Sequence, residues 1–259
     1  MMPQGFAGLE AQLWVWLVAM IRPGAAFLVA PVFGAPYVPI QLRMVVSLAL
    51  GMAALQANPV ILPEGGLVTI AGFMLVLGEV LVGLALGFAV QIGFAAAMLA
   101  GETIGNVMGL GFAGMVDPAS GQSSPAIGQF LSLLTTFLFL AIGGHLMLAT
   151  IIVESYRALP PGDAFMSAES INGLVLFGGE LFAAGLAVAL PVGFALVIVQ
   201  LVMAMLARSA PSLNLFAVGL PAALLAGLVL MAMAVPVMGE AITLSLQNGL
   251  AMARQMAGR

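Results

Sequence analysis

The sequence predicts an all-α protein of the membrane type, and three observations carry that expectation. Of its 259 residues, 63% are hydrophobic and 6% charged, whereas a soluble domain carries about 25% charged residues; mean hydropathy is +1.21. Charge-free runs cover 23–42, 44–63, 80–101, 118–153, 181–207 and 209–239. Each approaches or exceeds the roughly 20 residues that a helix needs to cross about 30 Å of hydrocarbon. The alternation of a membrane barrel, in segments of about ten residues, is absent, and open strands leave their backbone unpaired in lipid.

Glycine, proline and charge punctuate the chain into hydrophobic blocks near 9–33, 38–57, 67–109, 126–153, 171–207 and 212–238, followed by an arginine-containing tail. In the first block, Leu13 to Ile21 is preceded only by Glu10, so no positive n-region marks a cleaved signal and the stretch is expected in the mature protein. Arg22 follows immediately, next to Pro23. Inside a helix bundle such an arginine is expected to meet an acid or free carbonyls. The third block spans 67–109, about 64 Å of helix, twice a bilayer core, so it must tilt, bend, break or protrude. Pro23, Pro31, Pro191, Pro221 and Pro236 lie inside apolar blocks, where each removes a backbone donor and favours a kink. With six blocks, Arg157, Arg254 and Arg259 fall on one side against Arg208 on the other, which places the C-terminus in the cytoplasm by the positive-inside rule.

Most chemistry is excluded by what is missing. Cysteine is absent, so disulfides, thiolate nucleophiles and cysteine metal sites are out. His145 is the single histidine and has no partners at ligand spacing, so no metal site is expected. Ser120, Ser123 and Ser124 sit in GQSSP rather than in a GxSxG turn, which argues against a hydrolase. His145, in GGHL, is read as a packed polar residue that hydrogen-bonds between helices. The net charge of −4, without a basic cluster, leaves no footprint for nucleic acid. Glu79, Glu102 and Glu180 stand in or beside apolar runs, where acids are costly. Pairing with an arginine or an amide is one reading of them; a proton or cation relay, as in a small secondary transporter, is the other.

The most informative segment runs from Gly101 to Phe130, whose charged residues are Glu102 and Asp117. Gly101, Gly105 and Gly109 recur every fourth residue, which on a helix leaves one bare stripe where another backbone packs closely. After Gly109 the pattern stops. Gly111, Gly114, Asp117, Pro118, Gly121 and Pro125 disfavour helix, while Leu110, Phe112, Met115 and Val116 keep the resulting loop apolar. Asp117 and Pro118 form a turn initiator. Met108 and Met115 flank the loop with flexible thioethers.

Taken in order, several stretches give the chain a family likeness: APVFGAPYVP from Ala30, GEVLVGLALGF from Gly78, AGETIGNVMGLGFAGMVDPASG from Ala100, GQFLSLLTTFLFLAIGGH from Gly128, and LARSAPSLNLFAVGLP with Arg208, Pro211, Asn214, Phe216, Gly219 and Pro221. Over nearly its whole length the chain resembles the FliR family of flagellar export-gate proteins and their injectisome counterparts in type III secretion. The resemblance implies a single domain over 1–259 made of kinked helical hairpins, similar to a fusion of FliP and FliQ, in a helical pore-forming assembly of the bacterial inner membrane. It implies a non-enzymatic role without cofactor. The partners it implies are FliP-like and FliQ-like subunits, FlhB-like and FlhA-like export components, membrane lipid and unfolded substrates. Under it, Leu110, Phe112, Met115 and Val116 form a pore plug, with Gly109, Gly111, Gly114, Asp117, Pro118 and Gly121 as its hinge and turn. Gly101, Gly105, Arg22, Glu79, Arg208, Pro211 and Asn214 serve packing and assembly.

Overall fold

In a computed structural model of the chain, residues 7–56, 59–63, 66–111, 126–162, 165–209 and 215–258 are described. Among them the regular structure is helical throughout: α1 (Ala7–Val29), α2 (Ile40–Leu55), α3 (Ile70–Val107), α4 (Ala126–Ala141), α5 (Gly144–Ala158), α6 (Ala168–Phe177), α7 (Glu180–Ser209) and α8 (Leu215–Ala257). Among the described residues, four stretches are long and apolar enough to cross a membrane, namely Gln12–Val29, Ile70–Val107, Ala168–Ser209 and Val218–Ala257, and α4 with α5 forms a further candidate bent by 64°. In such a setting a helix is the one open element that satisfies its own backbone.

The helices differ from the blocks in three places. The block expected over 126–153 is two helices, because Gly143 takes a left-handed φ of 71° that only glycine adopts cheaply. The block over 171–207 starts earlier, with Ser167 capping α6 through its hydroxyl, and changes helix at Gly178 and Gly179. The tail is no tail: α8 continues through Arg254 to Ala257. Four prolines do not interrupt their helices, since Pro23 lies within α1, Pro191 within α7, and Pro221 and Pro236 within α8. Pro31 lies beyond the end of α1.

The chain forms two compact units. The first comprises Met1–Ile92, Leu140–Gly178 and Gln247–Arg259; the second comprises Gly93–Phe139 and Gly179–Leu246. In the first unit, glycines set the closest approaches. A methyl group on Gly51 of α2 would run into the backbone of Ala19 in α1, and one on Gly83 or Gly87 of α3 would run into the carbonyls of Arg22 or Ala26. These helices meet backbone to backbone, the arrangement small residues permit when burial of apolar surface gives no direction.

Polar groups lock that packing. Arg22 and Glu79 are fully buried, and the guanidinium donates to both carboxylate oxygens, Nε to Oε2 at 2.9 Å and Nη2 to Oε1 at 2.7 Å. Two further N–H groups reach Ser155 Oγ at 2.9 Å and the Leu159 carbonyl at 2.7 Å. The Tyr156 ring lies 4.0 Å from the guanidinium carbon, and the Tyr156 hydroxyl donates to the Ala19 carbonyl at 2.8 Å. One arginine thereby ties α1, α3 and the end of α5. The connection after α1 is similarly fixed: Arg43 Nη2 donates to the carbonyls of Ala35 and Val38 at 2.6 and 3.1 Å, and Phe27 stacks on Phe33 with centroids 4.3 Å apart.

Removing one member of a buried pair strands the other charge, at a cost of about 3–5 kcal/mol, whereas replacing both by apolar residues is often close to neutral. Thermal unfolding of the purified chain in detergent is therefore expected to show Arg22→Met and Glu79→Gln each strongly destabilised. The Arg22→Met, Glu79→Leu double variant is expected to be more stable than either.

Candidate functional site

The glycine-studded segment is reached at the C-terminal end of α3, within the second unit. The helix stops because Gly109 takes a left-handed φ of 85°. Its N–H bonds to the Asn106 carbonyl at 3.0 Å and that of Leu110 to the Gly105 carbonyl at 3.0 Å. This is the pair of bonds of a Schellman stop, in which the residue after the glycine folds back over the last turn. Gly105 lies under that fold: a methyl on it would be 3.8 Å from Leu110 Cδ1 and 3.9 Å from Ile127 Cγ1, ordinary contact distances. Leu110 is therefore not free loop but half-buried against its own helix. Gly111 follows, exposed.

Three neighbours hold this end of α3. On α4, Gly128 touches Gly101 so closely that a methyl on Gly101 would overlap the Gly128 backbone. On α8, Gly227 forms a notch for Met108, which is fully buried; a methyl at Gly227 would lie 2.6 Å from Met108 Cγ. On α7, Gln200 Nε2 donates to the Val107 carbonyl at 2.6 Å, supplying a partner for one of the carbonyls that a helix leaves unpaired at its end. Beside these contacts is a cavity of about 260 Å³ lined by Met108, Gly109, Val199, Met203, Gly219 and Ala223 among others. Gly185 of α7 comes within 3.1 Å of the Ala96 carbonyl, measured from the position of an added methyl, and Ser245 of α8 donates to the Gly93 carbonyl at 2.9 Å.

The sequence-derived candidates divide accordingly. Gly101, Gly105, Gly109 and Leu110 come together at the end of α3, with Gly111 next to them. Phe112, Gly114, Met115, Val116, Asp117, Pro118 and Gly121 lie outside the described residues, as do Pro211 and Asn214. Arg208 is exposed in the last turn of α7, where a cation is favoured by the helix dipole. Arg22 and Glu79 are in the first unit, paired with each other. Glu102 and Glu180 are exposed, and among the described residues no group of three metal-ligating side chains occurs. The expected interhelical hydrogen bond of His145 is not made at one nitrogen: Nδ1 is buried without a partner among the described residues. Gln200 went unnoticed in the sequence, although it is the single polar side chain between Leu181 and Ala207.

Compared with known proteins, residues 13–249 match the family described as Bacterial export proteins, family 1. The chain is 34% identical over 226 residues to the flagellar biosynthetic protein FliR of Escherichia coli K12, covering 86% of this chain and 84% of that protein. The FliR protein of Bacillus subtilis is 30% identical over 216 residues, 80% of each chain. That of Aquifex aeolicus is 29% identical over 239 residues, 92% of this chain and 90% of its own.

The geometry separates two glycines that the sequence treats alike. Gly101→Val is expected to force α4 off α3 and lower stability by about 1–3 kcal/mol, the usual cost of overpacking. Gly105→Ala is expected to stay within about 1 kcal/mol of the parent, since removing a helical glycine offsets the new contact. Thermal unfolding of the two variants side by side checks the difference.

Proposed function

This chain belongs to family 1 of the bacterial export proteins, the FliR family of non-enzymatic export-apparatus components, and on that premise we propose that it forms, with FliP-like and FliQ-like subunits, the pore through which unfolded flagellar proteins leave the cytoplasm. In this reading the segment beginning at Leu110 closes the pore. The observation that carries it is the anchored end of α3. A helix held against three others stops at a left-handed glycine, and the sequence continues from there with Phe112, Met115 and Val116 and no charge before Asp117.

An apolar constriction excludes water and ions without a specific ligand and thereby limits leakage of an ion gradient. Its apolar contacts are also weak one by one, so a passing chain displaces it without breaking strong polar bonds. Gly109, Gly111, Gly114, Asp117, Pro118 and Gly121 supply the turns at which the segment departs and returns. The apolar outer faces of α7 and α8 contact lipid or partner subunits; Phe182, Phe194 and Met205 on α7 are 65%, 66% and 70% exposed. In this reading the chain sits among the membrane-embedded subunits of the flagellar basal body, beside FlhB-like and FlhA-like components.

Deletion of Leu110 to Val116 is expected to raise the ion conductance of membranes containing the assembled gate while leaving assembly intact. Unchanged conductance with normal export contradicts a sealing role.

A further inference from the structure

Gln200 stands alone. From Leu181 to Ala207 every other residue is apolar, glycine or proline; Gln200 is exposed on α7, and where that face meets lipid or an apolar partner an amide is costly unless it is bonded. Its bond is directed at one place. Nε2 donates to the Val107 carbonyl at 2.6 Å, the shortest of the described bonds in which a side chain of one helix reaches the backbone of another. Val107 is the last residue of α3, and the three amides after it, of Met108, Gly109 and Leu110, carry the bonds that close the helix on Ile104, Asn106 and Gly105.

We propose that Gln200 is a positioning residue that latches the end of α3, fixing the point from which the sealing segment departs; the proposal rests on the sealing role given above. Met108 alone does not fix that point. Its side chain is flexible, and it borders an open groove of about 260 Å³ whose lining includes Val107, Val199, Gln200, Met203, Gly219 and Ala223. An apolar notch beside a groove restrains a methionine by contact and not by direction. A hydrogen bond to one carbonyl has a required distance and angle. Gln200 therefore supplies directional restraint, and Met108 supplies buried area.

The reach of the side chain matters as well as its polarity. Asparagine at 200 keeps the amide but is one methylene shorter, so it does not span to Val107 from the same backbone. Methionine keeps the length and loses the donor. Both are expected to release the latch, although they differ in polarity and in helix propensity, whereas a role in packing alone would be preserved by methionine.

The test uses the complete gate, purified with its partner subunits, in three forms: parent, Gln200→Met and Gln200→Asn. Hydrogen exchange at the amides of Met108 to Leu110 is expected to accelerate roughly three- to tenfold in both variants, as loss of one net hydrogen bond allows. Exchange around Gly128 is expected to be unchanged, and closed-state conductance is expected to rise in both variants. Unchanged exchange at 108–110 in both variants overturns the latch. Faster exchange with Asn but not with Met also overturns it, since that pattern is one of packing. The Leu110 to Val116 deletion separates the two claims. If the deletion raises conductance while Gln200→Met alters neither exchange nor conductance, the seal stands and the latch fails. If the deletion has no effect while Gln200→Met accelerates exchange without raising conductance, the sealing role fails, and with it the function assigned to the latch.

Discussion

Everything in this molecule depends on how closely helices approach where a side chain is missing. In a chain this apolar, burial alone scarcely discriminates one packing from another, because lipid and leucine are alike as surroundings. What discriminates is contact between backbones. α3 shows it in both units, with Gly83 and Gly87 under the carbonyls of Arg22 and Ala26 in the first, and Gly101 against Gly128 in the second. Each contact fixes a helix pair to within the thickness of a methyl group. The few polar side chains then act where the glycines have brought the helices together.

Those polar side chains are sparing, and two of them are directed at specific partners. Arg22 spends its donors on a carboxylate, a hydroxyl and a carbonyl, so its charge is compensated where water is absent. Gln200 satisfies a carbonyl at a helix end. Both arrangements hold a helix in place. Under the pore-lining role proposed above, such a division serves a passage for chains of varied sequence, with helices fixed by a few directional bonds and an apolar stretch of sequence following the end of α3. The family relationship supplies the context in which that division has a use.

Helix class, the long third block and the stop at Gly109 were legible in the sequence, because they follow from charge-free length and from glycine spacing. So was an acid or carbonyl partner for Arg22, since a buried arginine without one is too costly to persist. Other features were not. Met108 stands out in the sequence as a flank of the apolar loop, but its partner Gly227 is one of 32 glycines and no local pattern singles it out. The end of α8 was missed because Gln247, Asn248 and Arg254 dilute the apolar signal, although helix continues beneath them. Pro23, Pro191, Pro221 and Pro236 lie within helices, as the blocks that run through them imply, an arrangement that neighbouring helices permit. Gln200 was readable in principle, as a lone amide in an apolar run. Its partner was not, since nothing local links position 200 to position 107.

The most direct test of the account is to ask what the end of α3 faces during transport. A photo-crosslinking residue at Leu110, in gates stalled with a partly exported substrate, is predicted to crosslink to the substrate chain. The same residue at Phe194, on the exposed face of α7, is predicted to crosslink to lipid or partner subunits and not to substrate. Crosslinks from Leu110 confined to lipid, or substrate crosslinks from Phe194 in place of Leu110, would contradict a pore-facing end of α3.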